Sequence, residues 1–189
     1  MNTTEVTIGV ALFETAIGRC GVAWGASGIR SVRLPAPRDD LTRSQLLRGA
    51  PGARELPPPP AVQRTIDGIA ALLAGAPHDL STAKLDMAGI APFDRSVYEV
   101  ARTIRPGETL TYGEVAARIS EPLEARAVGT ALARNRFAII VPCHRVVAAG
   151  GKLGGFSAPG GAATKARLLS IERPHADQPP SLFDAAAVS

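Results

Sequence analysis

A chain of 189 residues with 46% hydrophobic and 20% charged side chains is long enough for one ordinary domain or two small ones and too apolar for wholesale disorder. Its longest apolar runs fall far short of the roughly 18 residues of a membrane span, and none opens the chain as a signal peptide does. The reading is a soluble, cytoplasmic or nuclear protein with no membrane partner. Net charge is +4, and it is gathered late in the chain. Residues 91–175 carry twelve basic and seven acidic side chains, against nine and eight in residues 1–90, and only Lys84, Lys152 and Lys165 among the bases are lysines. Arginine's planar fork suits phosphate contacts, so the bias modestly favours a nucleic-acid partner.

Val6, Ile8 and Val10 alternate, and Ile17 to Leu34 is an apolar run broken by Gly18, Gly21, Gly25 and Gly28. The pattern predicts β-hairpins over the first 34 residues. Residues 39–48 read as a short helix N-capped by Asp39 or Asp40. Residues 51–60, ending in four prolines, read as an exposed polyproline-type connector. Val62, Ile66, Ile69 and Leu73 then recur at helical spacing up to Gly75, and Leu85 and Met87 suggest one more strand.

Beyond Gly89 the pattern turns helical. Phe93, Val97, Val100 and Ile104 mark one helix, stopped at Pro106-Gly107. Thr111 with Glu114 three residues on has capping-box spacing, and Pro122 is expected to open a further helix from about Leu123 to Ala133. Two short helices with a tight polar joint resemble a helix-turn-helix, though the pattern alone favours an ordinary αα-hairpin. Phe137 to Val141 reads as a buried extended segment, residues 150–155 as a flexible glycine loop, and 162–172 as a helix with Leu168, Leu169 and Ile171 inward. From Pro174 a proline-containing tail follows.

Of two cysteines, Cys20 sits in the β pattern as a small buried hydrophobe. Neither a C-x-x-C pair nor a disulfide framework is present, and three histidines make a zinc site improbable. Cys143 stands between Pro142 and His144-Arg145. Neighbouring cations lower a thiol pKa, and the thiolate is the reactive form. In a strand, adjacent side chains point to opposite faces, so His144 assists Cys143 only if the chain bends there or a water bridges them. The imidazole also needs an orienting carboxylate.

Pro142-Cys143-His144-Arg145-Val146, the upstream Arg126-Ala127-Val128-Gly129 and Asn135, and the downstream Gly154-Gly155-Phe156-Ser157 resemble the O6-alkylguanine-DNA alkyltransferases, or methylated-DNA–protein-cysteine methyltransferases. The resemblance covers nearly all of residues 85–172 and continues weakly into Thr15-Ala16-Ile17-Gly18 and Gly28-Ile29. It implies an α+β fold: a small β-rich N-terminal domain (1–90, with the connector at 51–60), then a mainly helical, winged-helix-like domain (91–174) bearing the helix-turn-helix, and a flexible tail (175–189). It further implies irreversible, stoichiometric transfer of an alkyl group from flipped-out O6-alkylguanine in double-stranded DNA to Cys143, without metal or cofactor, by a monomer bound in the minor groove.

By the same resemblance, His144 acts as base through a water and Glu172 orients it. Arg126 fills the space of the flipped base, with small Ala127 and Gly129 allowing close approach to DNA. Tyr112 donates its hydroxyl to guanine N3. Asn135 ties the helix-turn-helix to the active-site turn, while the main chain at Val146 and Ser157 and the ring of Phe156 line the base pocket. The sequence departs from the family where tyrosine becomes Phe156, where Asn-Pro becomes Asn135-Arg136 with its charge near the DNA face, in the longer loop at 158–161, and where a helix tryptophan becomes Tyr98. The competing readings are a lesion-binding relative or winged-helix regulator without alkyl transfer, and a Cys-His hydrolase. Gln178-Pro179-Pro180-Ser181-Leu182-Phe183 resembles peptides that dock into the bacterial replication sliding clamp, through Gln178, Leu182 and Phe183.

Overall fold

The computed structural model describes residues 7–173. Val6 of the first predicted strand and the tail with Gln178, Leu182 and Phe183 lie outside them. The glycine-punctuated start forms β1 (Gly9–Phe13), β2 (Cys20–Gly25) and β3 (Gly28–Arg33), an antiparallel meander with Val22 opposite both Ala11 and Val32. Gly28 has no substitute at its place. Its φ is +122, and a methyl there would lie 2.4 Å from the Lys84 carbonyl oxygen, to which the Ile29 amide donates at 2.8 Å.

The predicted first helix is α1 (Asp39–Arg48). Arg38 occupies its N-cap, without a side-chain cap hydrogen bond, and Asp39 and Asp40 fall in the first turn, where their charge meets the positive end of the helix dipole. The connector is not wholly free chain. Within it β4 (Arg54–Glu55) pairs parallel with Gly9 and Val10, giving the sheet order β3-β2-β1-β4. Its last proline is the first residue of α2 (Pro60–Leu73), a position where the missing amide costs nothing. The strand expected at Leu85 and Met87 reduces to a single bridge between Leu85 and Ile29.

The second half runs α3 (Pro92–Arg102), β5 (Leu110–Thr111), α4 (Tyr112–Arg118), α5 (Ala125–Ala133), β6 (Val146–Val147) and α6 (Gly161–Glu172). The capping box forms as its spacing predicts: the Thr111 hydroxyl accepts from the Glu114 amide at 3.1 Å and Glu114 accepts from the Thr111 amide at 2.6 Å. Pro122 does not open α5. Pro122 and Leu123 belong to the turn, Leu123 is 94% exposed, and the helix begins after Glu124.

Phe137–Val141 is buried but not extended. Ile139 takes a φ of +70 and the Val141 amide donates back to the Phe137 carbonyl at 2.8 Å, so the segment is a tight turn. Arg136 is anchored to the protein. Its guanidinium donates to the Asp86 and Ala88 carbonyls at 3.1 and 2.8 Å and lies over the Phe137 ring. On α6 the inward residues are Lys165, Leu168 and Glu172, with Leu169 and Ile171 half-buried.

One apolar core joins the two halves, with Val22, Trp24 and Val32 of the sheet continuous with Ile66 and Ile69 of α2, Val97 and Tyr98 of α3, and Phe137. Tyr98 fills the place of the expected tryptophan and satisfies its hydroxyl on the Ala131 carbonyl at 3.1 Å. A single guanidinium, Arg102, donates to the Leu80, Ser81 and Ala83 carbonyls and ties the inter-helix segment to α3. Among the described residues no helix is long and apolar enough to cross a membrane.

Gly28→Ala combines a strained backbone with a clash against a main-chain oxygen and should cost at least about 2 kcal/mol. Thermal denaturation checks it, and an unchanged Tm would mean that the β3 entrance relaxes freely.

Candidate active site

The main chain bends at the cysteine. After Pro142 the residues Cys143–Arg145 form one turn of 3-10 helix, so the alternation that would send Cys143 and His144 to opposite faces does not apply. Cys143 is half-buried at a cavity of about 930 Å³ between the start of α4, the length of α5 and the glycine loop. His144 and Arg145 turn inward and are buried.

Behind the cysteine, Glu172 at the end of α6 supplies the carboxylate that the imidazole requires. Its Oε1 lies 2.9 Å from His144 Nε2, and Arg145 grips both oxygens, Nε to Oε2 at 2.9 Å and Nη2 to Oε1 at 2.8 Å. The remaining arm of Arg145 donates to the Ile104 carbonyl at 2.6 Å. Burial alone would raise the Glu172 pKa, but hydrogen bonds from His144 and Arg145 outweigh it and hold the carboxyl at about 2. Burial also lowers the His144 pKa, against the pull of Glu172. An ionised carboxylate only accepts, so the neutral imidazole donates from Nε2 and keeps the lone pair of Nδ1 free.

At the cysteine, burial pushes the thiol up, while a hydrogen bond from Asn135 and the nearby charge of Lys165 pull it down. Asn135, just past α5, also donates to the Val141 carbonyl at 2.8 Å and accepts from the Phe137 amide at 2.8 Å. One side chain therefore holds both ends of the Phe137–Val141 turn that leads into Cys143. Cys20 is different: burial drives its thiol up to about 12, which keeps it protonated.

Tyr112, Arg126, Gly129, Phe156 and Ser157 line the cavity with Cys143. Arg126 is exposed in the first turn of α5. Tyr112 packs against Gly129 and Gly154. A methyl at Gly154, whose φ is +70, would come within 3.1 Å of the ring. Burial raises the Tyr112 pKa, so the phenol keeps its proton, which it directs to the Gly155 carbonyl at 3.4 Å. Ala127 and Val146 are not part of the cavity wall. Val146 is buried in β6, and its carbonyl is taken by Lys165.

Lys165 is the residue that sequence reasoning missed. It is fully buried; its Nζ donates to the Val146 carbonyl at 2.6 Å and the Gly155 carbonyl at 3.3 Å, and lies 5.7 Å from the centre of the Tyr112 ring. Burial lowers its pKa and the charge of Cys143 opposes that shift. The signal was present: Lys165, Leu168 and Glu172 share a face at i, i+3, i+7, a rare place for one of only three lysines.

A profile described as the 6-O-methylguanine DNA methyltransferase DNA-binding domain matches residues 92–174. The methylated-DNA–protein-cysteine methyltransferase of Methanothermobacter thermautotrophicus is 35% identical over 153 residues, which span 80% of this chain and 78% of that protein. The chain belongs to the methylated-DNA–protein-cysteine methyltransferase family. The enzyme of that name from Mycolicibacterium paratuberculosis is 42% identical over 67% of this chain and 74% of its own length. A crystal structure of Mycobacterium tuberculosis OGT in complex with DNA matches with a TM-score of 0.69 at 34% identity, covering 89% of this chain and 94% of that one. The α+β architecture is therefore that of the family, the sheet-bearing half included.

Both acid-side ionisations work in one direction. The unfolded chain binds more protons than the folded one, at His144 below its ordinary 6.5 and at Glu172 between its ordinary 4.5 and about 2. Stability is complete above the first of these values and falls as pH drops through both. Glu172→Gln should flatten the lower limb and, by leaving Arg145 buried without a countercharge, cost about 3–5 kcal/mol at neutral pH; thermal melts across a pH series measure both.

Lys165→Met removes a buried cation at nearly constant volume. The rate at which Cys143 reacts with a small thiol reagent should then rise only at higher pH than in the wild type, a profile that iodoacetamide labelling followed by mass spectrometry provides.

Proposed function

We propose that this chain repairs O6-alkylguanine in double-stranded DNA by accepting the alkyl group on Cys143 in a single irreversible turnover. The observation that carries the reading is the cysteine at the cavity wall backed by the buried His144–Glu172–Arg145 network, in a chain whose relatives bear the methyltransferase name.

An O6 substituent lies within the base stack, beyond the reach of a recessed thiol, so the nucleotide must swing out, at a cost of a few kcal/mol in lost stacking. Arg126, exposed at the start of α5, takes the vacated space from the minor-groove side, and its flat head stacks against the neighbouring bases. The small side chain of Ala127 and the bare backbone of Gly129 let α5 approach closely. The cavity accommodates the flipped purine between Phe156 and the α5 face, with the main chain at Ser157 along its edge.

Nδ1 of His144 receives the thiol proton through a water, and Glu172 stabilises the imidazolium that results. The thiolate sulfur attacks the alkyl carbon; the S–C bond forms as the C–O6 bond breaks, and the electron pair of that bond passes to guanine. Tyr112 turns its hydroxyl from Gly155 to guanine N3 and offers a proton to the charge that develops there. The proton lost from the thiol balances the one guanine gains. No water can hydrolyse the thioether that remains, so the protein is consumed with its substrate.

Docking of Gln178, Leu182 and Phe183 into a sliding clamp is a separate proposal, tested by pull-down with both apolar residues changed to alanine. The protein acts as a monomer, since one chain supplies every group named above.

Incubation with an oligonucleotide labelled in the O6-methyl group decides the main reading. Wild type should take up one label per molecule, found by peptide mapping on Cys143, and Cys143→Ala none. Label left on the DNA by wild type, or transferred to Cys143→Ala, overturns it.

A further inference from the structure

Three arginines converge outside the cavity, where the end of β3, the end of α1 and the chain after α5 meet. Arg33 is the last residue of β3. Its Nη2 lies 3.5 Å from the point where a side chain at Gly49 would begin, which brings its guanidinium against the C-terminal end of α1 and its last residue, Arg48. On the other side, the Val32 amide donates to the Arg136 carbonyl at 2.7 Å and Val32 bridges Phe137, so Arg136 leaves the backbone beside Arg33.

Among the described residues no carboxylate pairs with these charges. The nearest carboxylate in the segment Arg136 grips is Asp86, and it is turned to Arg30 at 3.8 Å and to the Ala88 amide at 3.0 Å. The last-turn carbonyls of Gln45 and Leu46 are taken by the Gly49 amide; the guanidinium of Arg33 has only the helix dipole for company there. The charges felt by Arg33 are those of Arg136 and Arg48, both of which, after burial, lower its pKa. Nε of Arg33 and Nε of Arg136 are buried and meet no acceptor among the described residues. Arg136 is meanwhile held in place by two carbonyls and the Phe137 ring. Arg136, fixed by two carbonyls and a ring, beside Arg33, whose terminal nitrogens make no hydrogen bond or ion pair among the described residues, and a third, exposed arginine at the rim describe a receptor for a compact, multiply charged oxyanion.

We propose that Arg33, Arg48 and Arg136 form a binding site for a phosphate group, distinct from the alkyl-transfer cavity. The terminal nitrogens of Arg33 and Arg136 form its floor, and Arg48 closes over the anion from the end of α1. The phosphate comes from a DNA backbone running past the protein or from the free ion, and the two sources give different results below.

The test titrates inorganic phosphate into the full chain at constant ionic strength in chloride and follows Tm. Wild type should show a saturable rise, and so should Arg64→Gln, an equal charge change on the exposed face of α2. Arg48→Gln should weaken the apparent affinity about tenfold, the loss of one charge-assisted hydrogen bond. This exposed residue supports no hydrogen bond of the fold, so the variant stays folded; Arg136→Gln should weaken binding at least as much. A response that does not saturate, or one equal in wild type and Arg48→Gln, overturns the proposal. Binding to an undamaged duplex across a salt series then names the source. A slope of log K against log salt smaller by about 1 in Arg48→Gln assigns the site to a backbone phosphate. An unchanged slope beside weakened phosphate binding assigns it to the free ion. Neither measurement uses alkyl transfer, so its result and that of the Cys143 experiment stand or fall separately.

Discussion

One carboxylate organises this molecule. Glu172 is buried, and a buried anion is tolerated only where it is paired and fully hydrogen-bonded. His144 and Arg145 meet that demand from consecutive positions of a single 3-10 turn. The anion therefore pins the end of α6 to the segment that carries Cys143, while Arg145 extends the tie to Ile104 beyond α3. Burial keeps the imidazole neutral against the pull of that carboxylate, and the carboxylate, as an acceptor only, fixes its proton on Nε2, so the demand of burial and the demand of the chemistry are met by one geometry. The cysteine sits at the cavity wall because its two successors are drawn inward.

The mouth of the cavity is built on a second buried charge. Lys165 has no carboxylate partner among the described residues and instead gathers backbone oxygens from β6 and the glycine loop. A cation held this way fastens the loop and adds a positive field at the thiol, a dual effect that a neutral hydrogen-bond donor could not provide. Tyr112 shares the Gly155 carbonyl with it, and Gly154 leaves room for the phenol ring. The hydroxyl can leave that carbonyl without stranding it, because the ammonium stays behind. Small residues on α5 complete the wall, so the space is shaped more by main chain than by bulk.

The site was legible in the sequence wherever its signals were local or belonged to a motif. Thr111 and Glu114 announced their cap because both halves of it lie within four residues. The Pro-Cys-His-Arg run with its downstream glycines pointed to the cysteine, and Glu172 came only through family resemblance, being otherwise an unremarked acid at a helix end. Lys165 escaped because a basic residue on a helix is ordinarily solvated, and its burial depends on carbonyls 10 and 19 residues away. The anchoring of Arg136 was missed for a related reason: its partners, the carbonyls of Asp86 and Ala88, come from a segment about 50 residues earlier.

The sequence by itself determined the hairpins, the helix pair and the position of the reactive thiol, since glycine punctuation, apolar period and capping act within a few residues. Tertiary structure alone decided that two residues of a proline-rich connector pair with β1, that Phe137–Val141 folds into a turn, and which charges go inward. Those outcomes rest on where distant carbonyls and carboxylates come to lie, and no local propensity encodes the desolvation of a charge until its partner has arrived.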